Sequence, residues 1–231
     1  MVAILVVLTI LTCIMVDALM EWSRARRSRL GLASAVRTDS FRAFTPESIA
    51  LPSGLFLAPG HTWVEVNPNG RAHVGLDDFL PKAIGRIDEI VLPAIGKEVH
   101  QGEALFTVRQ GDRKIEVPAP IDGVVNSINE NLSVAPELTQ VAPYKQGWVC
   151  DVTPKNLAKN VKQLCIAEEA LAWVRNEVRR FQDFLSVRPL ENFAVGHVLQ
   201  DGGIPTCGVL EFLDDETWNH FASEFVRVPS H

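Results

Sequence analysis

The chain has 231 residues, 28 acidic against 22 basic side chains, a formal net charge of −6 and 47% hydrophobic residues. That length suits one domain of ordinary size with appendages, and the acidic balance argues against nucleic-acid binding across the chain. The slightly positive mean hydropathy traces largely to the N-terminus and predicts a membrane segment rather than an unusually apolar core.

The first predicted element is that segment. Val2–Val16 (VAILVVLTILTCIMV) carries no charge over fifteen residues, and Ala18–Met20 extend the run past Asp17. A helix over Val2–Met20 is about 28 Å long at about 1.5 Å per residue, close to the roughly 30 Å of bilayer hydrocarbon. Asp17 lies near the end of this span, within reach of the interface, and Trp22 is placed as an interfacial anchor. Arg24, Arg26, Arg27 and Arg29 follow, so the positive-inside bias puts the N-terminus outside and the rest of the chain in the cytoplasm. No basic region precedes the run and no small-x-small site follows, unlike a cleaved signal peptide. The expectation is a single-pass cytoplasmic-membrane protein: anchor 1–22, with residues 2–20 in the bilayer, then a polar juxtamembrane linker 23–53.

From residue 54 to 154 the pattern changes to short β-type runs between Gly and Pro corners. Thr62–Val66 alternates, Asn67-Pro-Asn-Gly70 turns, and Arg71–Gly75 returns, which predicts a hairpin. Asp77–Ile84 reads as a short helix with Asp77 as N-cap and Gly85 as its stop. Strands are expected at Ile87–Leu92, Ala104–Val108, Ile115–Val117, Gly123–Ile128 and around Trp148–Cys150. Many short strands at close spacing indicate a small barrel or sandwich.

Residues 155–231 read as a helical extension. Leu157, Val161, Leu164, Leu171, Val174, Val178, Phe181 and Leu185 recur at helical spacing, predicting one long amphipathic helix over 155–187. Its stripe serves either packing onto the barrel or a protein partner. A turn at Val198–Pro205 follows, then a helix over Asp215–Val226 with Asp214 as N-cap and Trp218, Phe221, Ala222 and Phe225 on one face. Gly202-Gly203 matches no nucleotide loop.

The order His61-Thr-Trp63-Val, Val74-Gly75-Leu-Asp-Asp, Leu92-Pro93-x-x-Gly96, Gly102-Glu103, Ala119-Pro120-x-x-Gly123, Pro136-Glu137-Leu138 and Pro143-Tyr144-x-x-Gly147-Trp148 resembles the glycine cleavage system H-protein. Val117-Pro-Ala-Pro120 also resembles the lipoyl domains of 2-oxo-acid dehydrogenase acyltransferases. The resemblance implies a mainly β fold with helices, a lipoyl-type barrel-sandwich hybrid, here preceded by one transmembrane helix and followed by the helical extension. It further implies a carrier without chemistry of its own. In that family a lysine at a hairpin tip holds lipoate, which in H-proteins shuttles an aminomethyl group from glycine.

The same resemblance locates the attachment position. The family's lysine lies ten residues after the Gly of the Gly-Glu pair and eight before the Pro of the Pro-x-x-Gly corner. Counted from Gly102 and from Pro120, both intervals end on Asp112. An aspartate forms no amide with lipoate. Lys114, two positions on, is the only lysine of the hairpin and the remaining candidate for lipoylation, with a solvated strand lysine as the plainer reading. Biotin is disfavoured, because no Met-Lys-Met is present.

Other reactive groups have structural readings. His61 and Trp63 are expected to close and pack the first hairpin, Trp148 to enter the core, and Asp77-Asp78 to cap a helix. Cys13, Cys150, Cys165 and Cys207 lack C-x-x-C or zinc-ligand spacing and read as reduced structural thiols, Cys207 alone being a candidate for reactivity. No metal site, Ser-His-Asp set or nucleophile–base pair stands out, so the chain is not read as an enzyme. Two functions remain. One is a membrane-anchored, non-lipoylated binding or scaffold module for a membrane-associated enzyme complex, with a protein partner on the 155–187 helix. The alternative is a lipoyl carrier of a glycine cleavage or related redox or one-carbon system, using Lys114.

Overall fold

The alternating segment Thr62–Val66 (β2) pairs antiparallel with Ala72–Leu76 (β3), and the Gly70 N–H donates to the Asn67 carbonyl (2.9 Å) to close the turn between them. This computed structural model describes residues 15–16, 42–187, 199–200 and 204–226, the backbone alone at 199, 200 and 204. Trp63 on β2 is 1% exposed and lies flat on Gly75 of β3, where a Cβ would come within 2.7 Å of the indole. A register shift between Val74 and Gly75 marks the same place.

Among the described residues the strands form two main sheets. Phe56–Ala58 (β1), Glu98–Val99 (β5), Gly123–Ile128 (β8), Trp148–Pro154 (β9) and Cys165–Ile166 (β10) join β2 and β3 in a seven-stranded sheet ordered β10-β1-β2-β3-β9-β8-β5. Glu89–Val91 (β4), Ala104–Gln110 (β6) and Arg113–Pro118 (β7) make a three-stranded sheet ordered β4-β6-β7. Inward residues of both, among them Val74, Val108, Ile115, Val117, Val125 and Val152, belong to one buried apolar core.

Short helices close the domain. Phe79–Ile84 (α1) is capped by Asp77, whose Oδ1 accepts from the Phe79 and Leu80 N–H groups (3.1 Å each), and stops at Gly85 with φ 83°. Asp78 accepts instead from the Ala50 N–H and from Lys82 Nζ (2.7 Å each), tying the chain before β1 to α1. The strand expected at Ile87–Leu92 is shorter, Glu89–Val91, and the hairpin arms are longer than expected, Ala104–Gln110 and Arg113–Pro118. Leu138–Val141 (α2) lies between β8 and β9.

The single helix expected over 155–187 does not form. The chain makes a short turn of helix, Leu157–Asn160 (α3), then a 3-10 turn, Val161–Gln163, and then β10. Helical spacing runs unbroken through Leu164, but Cys165 and Ile166 pair with Leu57 and Phe56 and extend the main sheet. Backbone pairing at a sheet edge outweighs local periodicity there. The long helix begins only at Ala167, which holds φ 52°, and runs to Ser186 (α4).

Most of the α4 stripe is covered within the chain. Val174, Val178, Phe181, Phe184 and Leu185 are buried, whereas Leu171 is 44% exposed. Phe181 meets Phe44 at 5.0 Å, Phe79 at 5.8 Å and Phe221 at 5.5 Å between ring centroids. Phe221 and Phe225 stack at 4.9 Å. These rings fuse the chain's N-terminal approach, α1, α4 and the C-terminal helix into one apolar layer.

A short antiparallel pair, Leu199–Gln200 (β11) with Ile204–Pro205 (β12), precedes the last described helix, and Ala43 bridges Thr206. That helix is Asp215–Phe221 (α5), continued by a π turn over Ala222–Val226. Asp214 caps it as expected, its Oδ1 accepting from the Thr217 N–H at 2.6 Å. Cys207, the one cysteine taken as a candidate for reactivity, lies in a turn as expected but is 3% exposed, with its backbone N–H donating to the Arg42 carbonyl (2.9 Å). Burial protects it from the reactivity its sequence setting suggested. Burial likewise pushes the Cys150 thiol up to about 12 and raises that of Cys165.

The anchor expected over Val2–Met20, its flanking Trp22 and Arg24–Arg29, Cys13, and Gly202-Gly203 lie outside the described residues, apart from the helical Met15 and Val16. Among the described residues no helix is long and apolar enough to cross a membrane.

Candidate functional site

The β6–β7 hairpin closes on Gln110↔Arg113, leaving Gly111-Asp112 as a two-residue turn. Gly111 holds φ 57°, the left-handed conformation such turns require and glycine adopts without strain. Asp112 stands exposed at the tip. Two anchors fix the turn from below: the Gly111 N–H donates to Asp88 Oδ2 (2.8 Å), and buried Gln110 donates to the Arg86 and Ile84 carbonyls (2.6 and 3.2 Å).

Arg113, the first residue past the turn, reaches across to the C-terminal segment. Its Nε donates to Asp215 Oδ1 (2.7 Å), Nη2 to the Leu213 carbonyl (2.7 Å) and Nη1 to the Leu210 carbonyl (3.3 Å). The guanidinium also lies over the Trp218 ring, 5.3 Å from its centroid. Sequence reasoning passed over Arg113, because its partners lie about a hundred residues on.

Lys114 belongs to β7, paired with Arg109 across the ladder rather than to the turn. Its side chain is 64% exposed, with Nζ 3.1 Å from Glu116 Oε1. The hairpin tip therefore presents a carboxylate and not an amine. The residue present at the tip does not fit lipoate, whereas the Lys114 amine is chemically able to form the amide but sits on a strand arm.

A second constellation lies beneath α4. His61, expected as a packing residue, is fully buried, with φ 58°. Its Nδ1 is 2.8 Å from Asp77 Oδ2, its Nε2 is 3.8 Å from Glu177 Oε2, and its ring stacks on Phe79 at 4.2 Å. Burial opposes the imidazolium charge, but Asp77 and Glu177 outweigh it and hold the pKa up to about 9. Glu177 also accepts from Arg180 Nη1 (2.8 and 3.0 Å), whose guanidinium lies over Phe225 (4.2 Å). His61 thus packs the hairpin and also carries charge into the α4 interface. Trp148 is half-buried and stacks on His73 at 5.0 Å.

A two-sheet β domain with a rigid two-residue hairpin at one end, carrying its signature glycines and prolines in order, has the architecture of lipoyl-type domains. Residues 56–177 match the family described as Glycine cleavage H-protein, and the chain belongs to that family. The match runs past Pro154 and into α4. A probable glycine cleavage system H protein of Pyrococcus horikoshii is 35% identical over 122 residues, 53% of this chain and 90% of that one. The glycine cleavage system H protein of Methylococcus capsulatus is 35% identical over 118 residues, 51% of this chain and 91% of its own. The crystal structure of a glycine cleavage system H protein from Mycobacterium marinum aligns with 55% of this chain and 99% of its own, with TM-score 0.48 and 23% identity.

Proposed function

We propose that this chain uses the H-protein fold as a protein-docking module whose hairpin tip carries no lipoate. The observation that carries this reading is Asp112, exposed at the turn where a carrier displays its lysine. Arg113 supports it further, because its bonds to the 210–215 segment hold the hairpin against the part of the chain that leads into α5. The role is that of a binding component beside a membrane-associated enzyme complex, without catalysis by the chain itself. The charge pattern of residues 2–29 supports anchoring by Val2–Met20 with the domain in the cytoplasm. Retention in the membrane pellet after alkaline carbonate washing tests that part.

The second reading, lipoyl carriage on Lys114, is favoured by relatives named as glycine cleavage system H proteins or probable ones, and by the exposure of that amine. The comparisons weigh toward this carrier and the hairpin turn weighs toward the module. Intact mass spectrometry of the protein from its native host decides between them. The unmodified mass is expected, and a lipoyl increment on a peptide containing Lys114 overturns the docking reading.

A further inference from the structure

The hairpin's sheet has an edge with no strand paired to it, although the Ala222–Val226 turn packs against part of β7. β7 is the outer strand of its sheet, hydrogen-bonded on one side only. In an antiparallel ladder successive residues turn their N–H and C=O groups alternately toward and away from the partner. With Gln110↔Arg113 as the closing pair, Arg113, Ile115 and Val117 face β6. Lys114 and Glu116 then direct their backbone groups outward, and among the described residues no backbone partner takes them up. Pro118, next in the outward series, is a residue tolerated only where no ladder N–H is needed. The Lys114 and Glu116 side chains rise from the sheet face and do not block its edge.

Beside that edge lies a groove of about 1050 Å³, with Trp218, Asn219, Ala222 and Ser223 of the C-terminal helix among its other lining residues. Pro118 and the Val226 carbonyl crowd Gly60 at one end, and Arg113 crosses to Leu213 at the other. The volume is at the upper end of small-molecule sites. An exposed sheet edge accepts an extended peptide as an added strand.

Charge narrows the occupant. Asp112, Glu116, Glu211 and Asp215 line the groove against Arg86, Arg113 and Lys114. Arg113 pairs with Asp215, Lys114 with Glu116, and Arg86 with Asp88 outside the lining. Asp112 and Glu211 are left without a cationic side chain among the described residues, and a lysine or arginine supplied from outside complements them.

We propose that this groove docks an extended segment of a partner protein, which adds as a strand to β7 through the backbone of Lys114 and Glu116. The segment sets a lysine or arginine against Asp112 and Glu211. The inference rests on the docking reading above and names its surface.

The test selects displayed random dodecapeptides on the full chain in detergent, then measures the synthesised winners against variants. Glu116→Pro and Lys114→Pro each remove one outward N–H while sparing the β6 ladder. The expected result is enrichment of Lys or Arg in the selected peptides and affinity about tenfold weaker for Glu116→Pro. With peptide bound to the unmodified chain, the Lys114 and Glu116 amides should become protected from hydrogen exchange, a readout that survives misfolding of either variant. Asp112→Asn combined with Glu211→Gln should flatten the salt dependence of binding. The proposal is overturned if no peptide is selected above background, if winners bind the proline variants as well as wild type, or if both amides stay unprotected. A lipoyl mass would overturn the docking reading alone, whereas failure of peptide binding by an unmodified chain would overturn only the groove.

Discussion

Neutralising His61 gives the most direct check on the physical account of this fold. The group is fully buried between Asp77 and Glu177, and its pKa stands at about 9 against an ordinary 6.5. A raised folded-state pKa means that folding takes up a proton. Its stabilisation is complete below about pH 6.5 and disappears as pH rises through about 9. The displacement corresponds to roughly 3–4 kcal/mol at most, at about 1.4 kcal/mol per pH unit. The perturbation is His61→Gln, which keeps a polar side chain and removes the titration. Urea unfolding of both proteins across this pH range is the assay. Wild type should lose about 3–4 kcal/mol relative to its own value at low pH, and the variant's curve should be flatter by that amount. Parallel curves would mean that folded His61 is neutral, and the ionic reading of the α4 interface would fall. Glu177→Gln should lower the imidazole pKa, read from its NMR titration, without abolishing the contact to Asp77.

Arg113→Ala removes three hydrogen bonds and the stacking on Trp218, and should cost about 2 kcal/mol in urea unfolding, with faster hydrogen exchange over 209–226. Gly75→Ala drives a methyl to 2.7 Å from the Trp63 indole, so a loss of roughly 1–3 kcal/mol and an altered near-ultraviolet circular dichroism band are expected. Phe221→Ala opens the ring layer between α4 and the last helix and should destabilise by about 3–5 kcal/mol in the same unfolding assay.

The parts legible in the sequence were those that local chemistry specifies. Alternation and turn residues gave the β2–β3 hairpin, an aspartate followed by an apolar face gave the α5 cap, and corner residues in order placed Asp112 at its turn. The misread parts were decided by distant partners. Cys165 and Ile166 have helical surroundings in sequence but an unpaired β1 edge beside them in space. Cys207 lies in the turn its neighbours suggest, and only its burial, beside Arg42, was not legible. Arg113 and Glu177 showed no motif at all, because a guanidinium bound to carbonyls of 210 and 213 leaves no spacing to read. Asp77 was read correctly as a helix cap, and its second oxygen holds His61.

These unread contacts join the hairpin to the buried cluster. Arg113 holds the segment leading into α5, Phe221 and Phe225 continue that segment into the ring layer, and Arg180 over Phe225 returns to Glu177 and His61. A chain ending at Leu213 would lose the Arg113–Asp215 pair, uncover Phe181 and Phe184 and remove one wall of the β7 groove. If the C-terminal helix were an independent appendage, the remaining domain would keep its unfolding midpoint and its His61 titration. The shared ring layer argues for one cooperative unit, so the truncated chain should unfold at lower urea with the imidazole pKa displaced. An unchanged midpoint together with an unchanged titration would show instead that the helix merely rests on the domain.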